Sequence, residues 1–485
     1  MRRGKHSLSS PHLKRGVGVL KKKKFRLFDA VLMAVVVILV VESAAPAAAI
    51  GSSQFFWWIA MLALFFLPYG LISAELGTTY DDEGGIYDWV KRAFGKRWGA
   101  RVAWLYWINY PLWMASLAVL FMEVFTQIFS INLSTPITIA IQLLFVWFVV
   151  LVSCYPVSDS KWILNAAAFC KLIIMLSLGG IGIYFAATKG LANDFSGAAL
   201  LPSFDVTSLS FISVILFNFL GFEVVTSFAS SMENPKKQIP QAIIYGGVLI
   251  AVFYLLAAFG MGAAIPTSEL STSGGLVDSF IIMLGGVNPF VIIVGLMFMY
   301  TLAANLISWA LGVNYVAMYA ARHNDLPKAF GKTSAKNDMP IGASIINGIV
   351  ASVLIVAAPL IPNENVFWAF FALNVVALLA SYIMMFPAFL KLRRIDPDRE
   401  RPFKVPGGPI LLRLMTYVPM VLLIITLIFS AVPLNGSAAE LDEKIPILIG
   451  TVLAVIVGEI CIKIAGKQSV ETQDQVKGEV KHENN

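Results

Sequence analysis

Glu42-Ser43-Ala44-Ala45-Pro46-Ala47 and Asn218-Phe219-Leu220-Gly221-Phe222-Glu223 are the two stretches that decide the fold of this 485-residue chain. Each places a carboxylate beside a helix-weakening residue, inside a run otherwise apolar enough to cross a bilayer. Pro46 lacks an N–H and its ring clashes with the preceding turn, so it frees backbone carbonyls around Glu42. Glu42 follows Phe28 by 14 residues; at ~1.5 Å per residue this puts the interruption near the bilayer midplane. Alone, a proline kink or a close-packing glycine would explain either stretch. Together, in runs that cross in opposite senses, they indicate two broken helices at matching places in an inverted repeat. Such breaks expose N–H groups at one half-helix end and carbonyls at the other, and these can grip a small polar guest.

The rest of the chain agrees with a membrane setting. Hydrophobic residues make up 58% and charged residues 13%, and mean hydropathy is +0.78. A soluble domain carries about a quarter charged residues, so a cytosolic enzyme is excluded. Twelve runs are long enough to cross a hydrocarbon core as helices: 28–50, 55–76, 102–129, 134–156, 162–188, 207–231, 240–266, 288–320, 341–360, 365–390, 409–432 and 445–465. We number them spans 1 to 12. The expected organisation is a basic tail over 1–27, five-helix repeats over 28–188 and 189–390, two further helices over 391–465, and a polar tail over 466–485.

Charge gives the orientation. Of 36 basic residues, 32 fall on one side of the twelve-span arrangement and two, Lys189 and Lys444, on the other. Positive residues stay cytoplasmic, which predicts both termini inside a cell membrane. The basic leader followed by Ala30 to Val41 and the small residues Ala44 to Ala49 also resembles a cleavable signal peptide. Removing it would spoil the alternation of charge, so the span is expected to stay. The net charge of +7 is therefore a topology signal, with lipid rather than nucleic acid as the partner. Cys154, Cys170 and Cys461 lie in apolar runs without metal or disulfide spacing, and no cofactor is expected.

Ionisable groups inside spans are the remaining candidates, because each costs several kcal/mol at bilayer depth unless paired or hydrated. Lys171 lies about ten residues into span 5, ~15 Å from its end. Its ammonium can stand in for a bound sodium by donating to carbonyls of the broken span 1, or it is a salt-bridged or snorkelling lysine. Glu123 sits near the outer end of span 3, and Glu75 at the inner end of span 2 is expected to pair with a loop base. Glu42 and Glu223 bring two negative charges to one place with Lys171 as the visible base. That arrangement favours an ammonium group, and either carboxylate is a candidate proton carrier. Phe222 is a candidate aromatic lid; Tyr106, Glu123 and Trp309 are candidates for gating or the path.

Three motifs carry a resemblance. A-E-L-G-T-T-Y-D-D-E-G-G-I-Y-D-W-V-K-R-A-F-G, Ala74 to Gly95, resembles the re-entrant loop between spans 2 and 3 of the amino acid, polyamine and organocation (APC) superfamily. F-L-G-F-E-V-V-T-S-F-A-S-S-M-E-N-P-K-K-Q-I-P, Phe219 to Pro240, is similar to its broken sixth helix and following loop. S-W-A-L-G, Ser308 to Gly312, with A-R-H-N-D-L-P, Ala321 to Pro327, is similar to its eighth helix and exit.

The resemblance implies a leucine-transporter-like fold of five plus five helices in inverted repeat, plus two. It also implies a substrate site among spans 1, 3, 6, 8 and 10, here Glu42, Ser43, Ala44, Ala45, Pro46, Asn218, Gly221, Phe222 and Glu223. Lys171 falls where sodium-independent members carry a lysine, which implies proton coupling or exchange. Many members have a glycine-rich break in span 1, whereas E-S-A-A-P is similar to relatives of the glutamate:GABA antiporters and to polyamine-transporting members.

The expected function is secondary transport of amino acids or related amines by alternating access. Polyamine or decarboxylation-product exchange is the alternative, and a non-transporting sensor is a further one. An embedded enzyme would need a catalytic or metal set, yet His6, His12, His323 and His482 all lie in tails or loops.

Overall fold

The computed structural model describes residues 26–28, 31, 38–80, 84–155, 157–223, 233–360 and 366–483, and every regular element among them is helical. Among the described residues, ten helices are long and apolar enough to cross a membrane. They are span 2 (Gln54–Thr79), span 3 (Lys96–Phe129), span 4 (Thr135–Ser153), span 5 (Asn165–Lys189), span 7 (Lys237–Ala264), span 8 (Pro289–Arg322), span 9 (Ile341–Leu360), span 10 (Val366–Ile395), span 11 (Pro409–Ala431) and span 12 (Glu440–Gln468). The two expected runs missing from that set are the first and the sixth, the two with internal helix weakeners. Residues 29–30 and 32–37 of span 1 and 224–231 of span 6 lie outside the described residues.

Where span 1 is described, it is interrupted. Leu39 and Val40 leave the helical conformation, Val41–Ser43 form a single 3-10 turn, and a five-residue helix, Ala44–Ala48, follows. The interruption begins before Glu42 rather than at Pro46. Pro46 sits in the first turn of the short helix, where a missing N–H is one of the groups that lack a helical partner anyway. Span 6 begins as the helix Val206–Phe217, initiated by Asp205, whose carboxylate accepts from Ser208 N–H at 2.8 Å. It ends in a turn, and Gly221 takes φ +105°, a conformation that only glycine adopts without strain.

Close backbone approach fixes the neighbours of these breaks. Span 7 crosses span 2 at Gly247, where a Cβ would collide with the Phe66 ring, and at Gly70, where a Cβ would lie 2.8 Å from Ile243. It crosses span 5 through Gly182 and Gly260, whose backbones are in direct contact. Small residues at helix crossings are the usual way to gain packing where lipid offers no hydrophobic drive. Span 2 also widens to a π-helical turn at Leu62–Phe66, which turns Phe65, Phe66 and Tyr69 into the interior.

The Ala74 to Gly95 motif is more regular than the re-entrant loop that the resemblance implies. It contains the helix Gly85–Phe94, which buries Ile86, Tyr87, Trp89 and Val90.

Candidate functional site

At the span 1 break, free peptide groups are met by side chains from spans 5 and 7. Lys171 Nζ donates to the Leu39 carbonyl at 2.6 Å. The Tyr254 hydroxyl of span 7 accepts from Val40 N–H at 2.8 Å and donates to Val40 C=O at 3.0 Å. Glu42 is 1% exposed, and neither of its carboxylate oxygens has a hydrogen-bond partner among the described residues. Lys171, likewise buried, is near enough for the two charges to act on each other. Ser43 reaches across and bonds the Asn218 side-chain oxygen, tying one break to the other.

At the span 6 break the roles differ. The Tyr69 hydroxyl of span 2 accepts from the N–H groups of Gly221 and Phe222, both at 3.1 Å, and donates to Glu223 Oε2. Glu223 Oε1 accepts from Tyr106 of span 3 at 2.8 Å and from Tyr382 of span 10 at 2.5 Å. Three phenols from three different spans thus donate to one carboxylate. Trp58 links the two breaks, stacked on Tyr254 at 4.2 Å and edge-on to Phe219 at 5.3 Å. Glu42, Ser43, Asn218 and Glu223 are at most 6% exposed, so this conformation is shut to water.

The amino acid permease family model matches residues 25–457, nearly the whole chain. The chain belongs to the amino acid permease family. Over 443 residues this permease is 56% identical to a Lactococcus lactis protein described as "Probable agmatine/putrescine antiporter AguD", covering 91% of this chain and 95% of that one. It is 24% identical over 428 residues to the glutamate/gamma-aminobutyrate antiporter of the same species, covering 85% of each. Among solved structures, that of MhsT in complex with L-phenylalanine superposes with a TM-score of 0.57 at 18% identity, over 83% of this chain and 98% of that one. That likeness concerns the fold, and it supports the leucine-transporter-like architecture.

Polar networks close the permease at both ends of the breaks. At the end rich in basic residues, Glu75 is held by Arg393 in the last turn of span 10, by Arg401 at 3.2 Å and by Val405 N–H at 2.7 Å, so the expected pairing with a loop base is made by Arg401. Beside it, buried Asp325 accepts from Tyr87 and pairs with Lys91 at 2.7 Å and Lys96 at 3.4 Å. Burial and then the Asp325 carboxylate push the Tyr87 phenol up, so it stays a neutral donor. At the other end, Gln127 of span 3 donates to Asp278 in the helix Gly275–Met283. Gly275 of that helix lies against Ala45.

The remaining sequence candidates fall in different places. Ala44, Ala45 and Pro46 are buried. Phe222 is buried edge-on to Phe66 at 6.4 Å. Tyr106 is bonded to Glu223 at the span 6 break. Glu123 lies 17 residues beyond Tyr106 on the same helix, ~25 Å along it, in the neighbourhood of Ser273 and of the Gln127–Asp278 contact. Trp309 is buried on span 8 and takes no part in the hydrogen bonds of either break among the described residues. Sequence reasoning missed Tyr69, Tyr254 and Tyr382. Their signal was present, since buried tyrosines in lipid-facing helices need partners for their hydroxyls, but among 14 tyrosines nothing local marks these three.

Proposed function

We propose that this permease exchanges small cationic amines across the cell membrane, with Glu223 receiving the ammonium group. The observation that carries this reading is the Glu223 carboxylate itself, buried at the span 6 break and bonded directly by the hydroxyls of Tyr69, Tyr106 and Tyr382. A carboxylate placed at a helix break inside the membrane is a chemical match for a substrate ammonium, which favours the charged form by pairing with it. The relative at 56% identity, named for agmatine and putrescine, supports an amine over a zwitterionic amino acid as cargo.

Lys171 on the Leu39 carbonyl supports sodium independence, because an ammonium already fills the acceptor that a sodium ion would use. The excess of basic residues at one face supports placing that face and both termini in the cytoplasm. Alternating access then consists of releasing the Glu75–Arg393–Arg401 and Asp325–Lys91–Lys96 contacts to open one side, and the Gln127–Asp278 contact to open the other. The breaks in spans 1 and 6 serve as the pivot.

Reconstituted vesicles loaded with putrescine test the exchange. Labelled agmatine should enter only when amine is present inside, with no stimulation by sodium. Uptake that is indifferent to internal amine, or exchange of glutamate for γ-aminobutyrate in its place, would overturn this reading.

A further inference from the structure

Two tyrosines hold the two breaks, and they come from corresponding helices of the opposite repeats. Tyr69 lies on span 2, the second helix of the first repeat, and clamps span 6 of the second repeat. Tyr254 lies on span 7, the second helix of the second repeat, and clamps span 1 of the first. The exchange is symmetric in position but not in chemistry. Tyr254 both accepts from and donates to one residue, Val40, and so closes a local loop. Tyr69 accepts two N–H groups from successive residues and passes its own proton to a carboxylate.

A phenol oxygen has two lone pairs and one proton. At Tyr69 all three are committed: the lone pairs to Gly221 and Phe222, the proton to Glu223. Successive backbone N–H groups after a helix break form a natural receptor for a carboxylate, because both point at one spot. In this chain that spot is filled by a side chain, and the nearest ionisable group is itself an anion.

We infer that Tyr69 is the specificity-determining residue by which this permease rejects α-carboxylates. Its hydroxyl occupies the receptor that an amino acid's carboxylate would need, and Glu223 beside it repels a second negative charge. The inference rests on the amine-exchange reading and sharpens it: the cargo is the decarboxylated amine, and the parent amino acid is excluded at this position. Tyr254, holding Val40, leaves that discrimination untouched.

The test compares putrescine with ornithine, which is the same diamine carrying one carboxylate. Each competes with labelled putrescine for exchange by reconstituted wild type, Tyr69→Phe and Tyr254→Phe. In wild type, half-inhibition should need at least about 100-fold more ornithine, since an unpaired anion in a closed site is costly. Tyr69→Phe frees the two N–H groups and should lower that ratio about tenfold through tighter ornithine binding, the size of one charge-assisted hydrogen bond. Tyr254→Phe should weaken both competitors alike and keep the ratio. If Tyr69→Phe cannot exchange, the same ratio is read from thermal shifts of the purified variant with each ligand. An unchanged ratio in Tyr69→Phe, or equal competition in wild type, would overturn the assignment while leaving amine exchange standing. Absence of putrescine exchange by wild type would instead overturn the amine reading, and the assignment with it.

Discussion

The breaks in spans 1 and 6 occupy equivalent positions in the two repeats, yet they have been furnished with opposite chemistry. At span 1 the exposed carbonyl of Leu39 takes an ammonium from Lys171, and the nearby Glu42 carboxylate has that same lysine as its counter-charge. At span 6 the exposed N–H groups take a neutral oxygen from Tyr69, and Glu223 is surrounded by phenols. An internal ammonium therefore serves the first break, whereas the second holds its carboxylate with the hydroxyls of Tyr69, Tyr106 and Tyr382. The difference suggests a division of labour, with span 1 as the built-in half of the site and span 6 as the half that recognises an incoming cation.

Substitutions can break that contrast in order of effect. Glu223→Gln should abolish exchange, because it removes the charge that the second break keeps for substrate. Lys171→Ala comes next: it leaves Glu42 buried without its cation, and stripping one partner from a buried pair costs about 3–5 kcal/mol. Exchange should be lost while the protein still inserts. Glu42→Gln on the same background should restore thermal stability, and failure to restore it would show that the two are not a pair. Gly221→Ala forces a side chain into φ +105°, and a strain of about 1–3 kcal/mol should lower both melting temperature and exchange rate. A mutant indistinguishable from wild type would mean the turn is not constrained as described.

The smallest effect belongs to the Gln127–Asp278 contact. Burial holds the Asp278 carboxyl above its ordinary value of 3.8, with the Gln127 bond opposing. A carboxyl raised in the folded state binds its proton more tightly there than when unfolded. It therefore adds stability at low pH that is lost as pH rises through the raised value. Asp278→Asn should flatten this part of the melting temperature's pH profile, and an unaltered profile would place its origin elsewhere.

Much of this was legible in the sequence, for identifiable reasons. Spans 2 to 5 and 7 to 12 follow from apolar length alone. The two interruptions follow from Pro46 and Gly221 beside carboxylates, and the Glu75 pairing follows from a charge at a helix end facing basic loops. The first break includes Glu42 but starts at Leu39 and Val40, because proline is easily accommodated in a first turn and Pro46 sits in the helix that follows. The tyrosines of the site were not legible. Tyr69 and Tyr254 touch residues 152 and 214 positions away, and no periodicity within span 2 or span 7 distinguishes a hydroxyl aimed at a broken neighbour from one packed in the core. Glu123 drew attention by its charge, and it lies far along span 3 from Tyr106, beside the loop that carries Ser273.

The central claim is that Glu223 is the cation receptor of a site built between two broken helices. Putrescine binding to purified protein, measured by calorimetry for wild type, Glu223→Gln and Glu123→Gln, tests it most directly. The account predicts that Glu223→Gln loses affinity by about 100-fold, as expected when a hydrogen-bonded charge pair loses one partner, while Glu123→Gln binds as wild type does. Unchanged affinity in Glu223→Gln would contradict it.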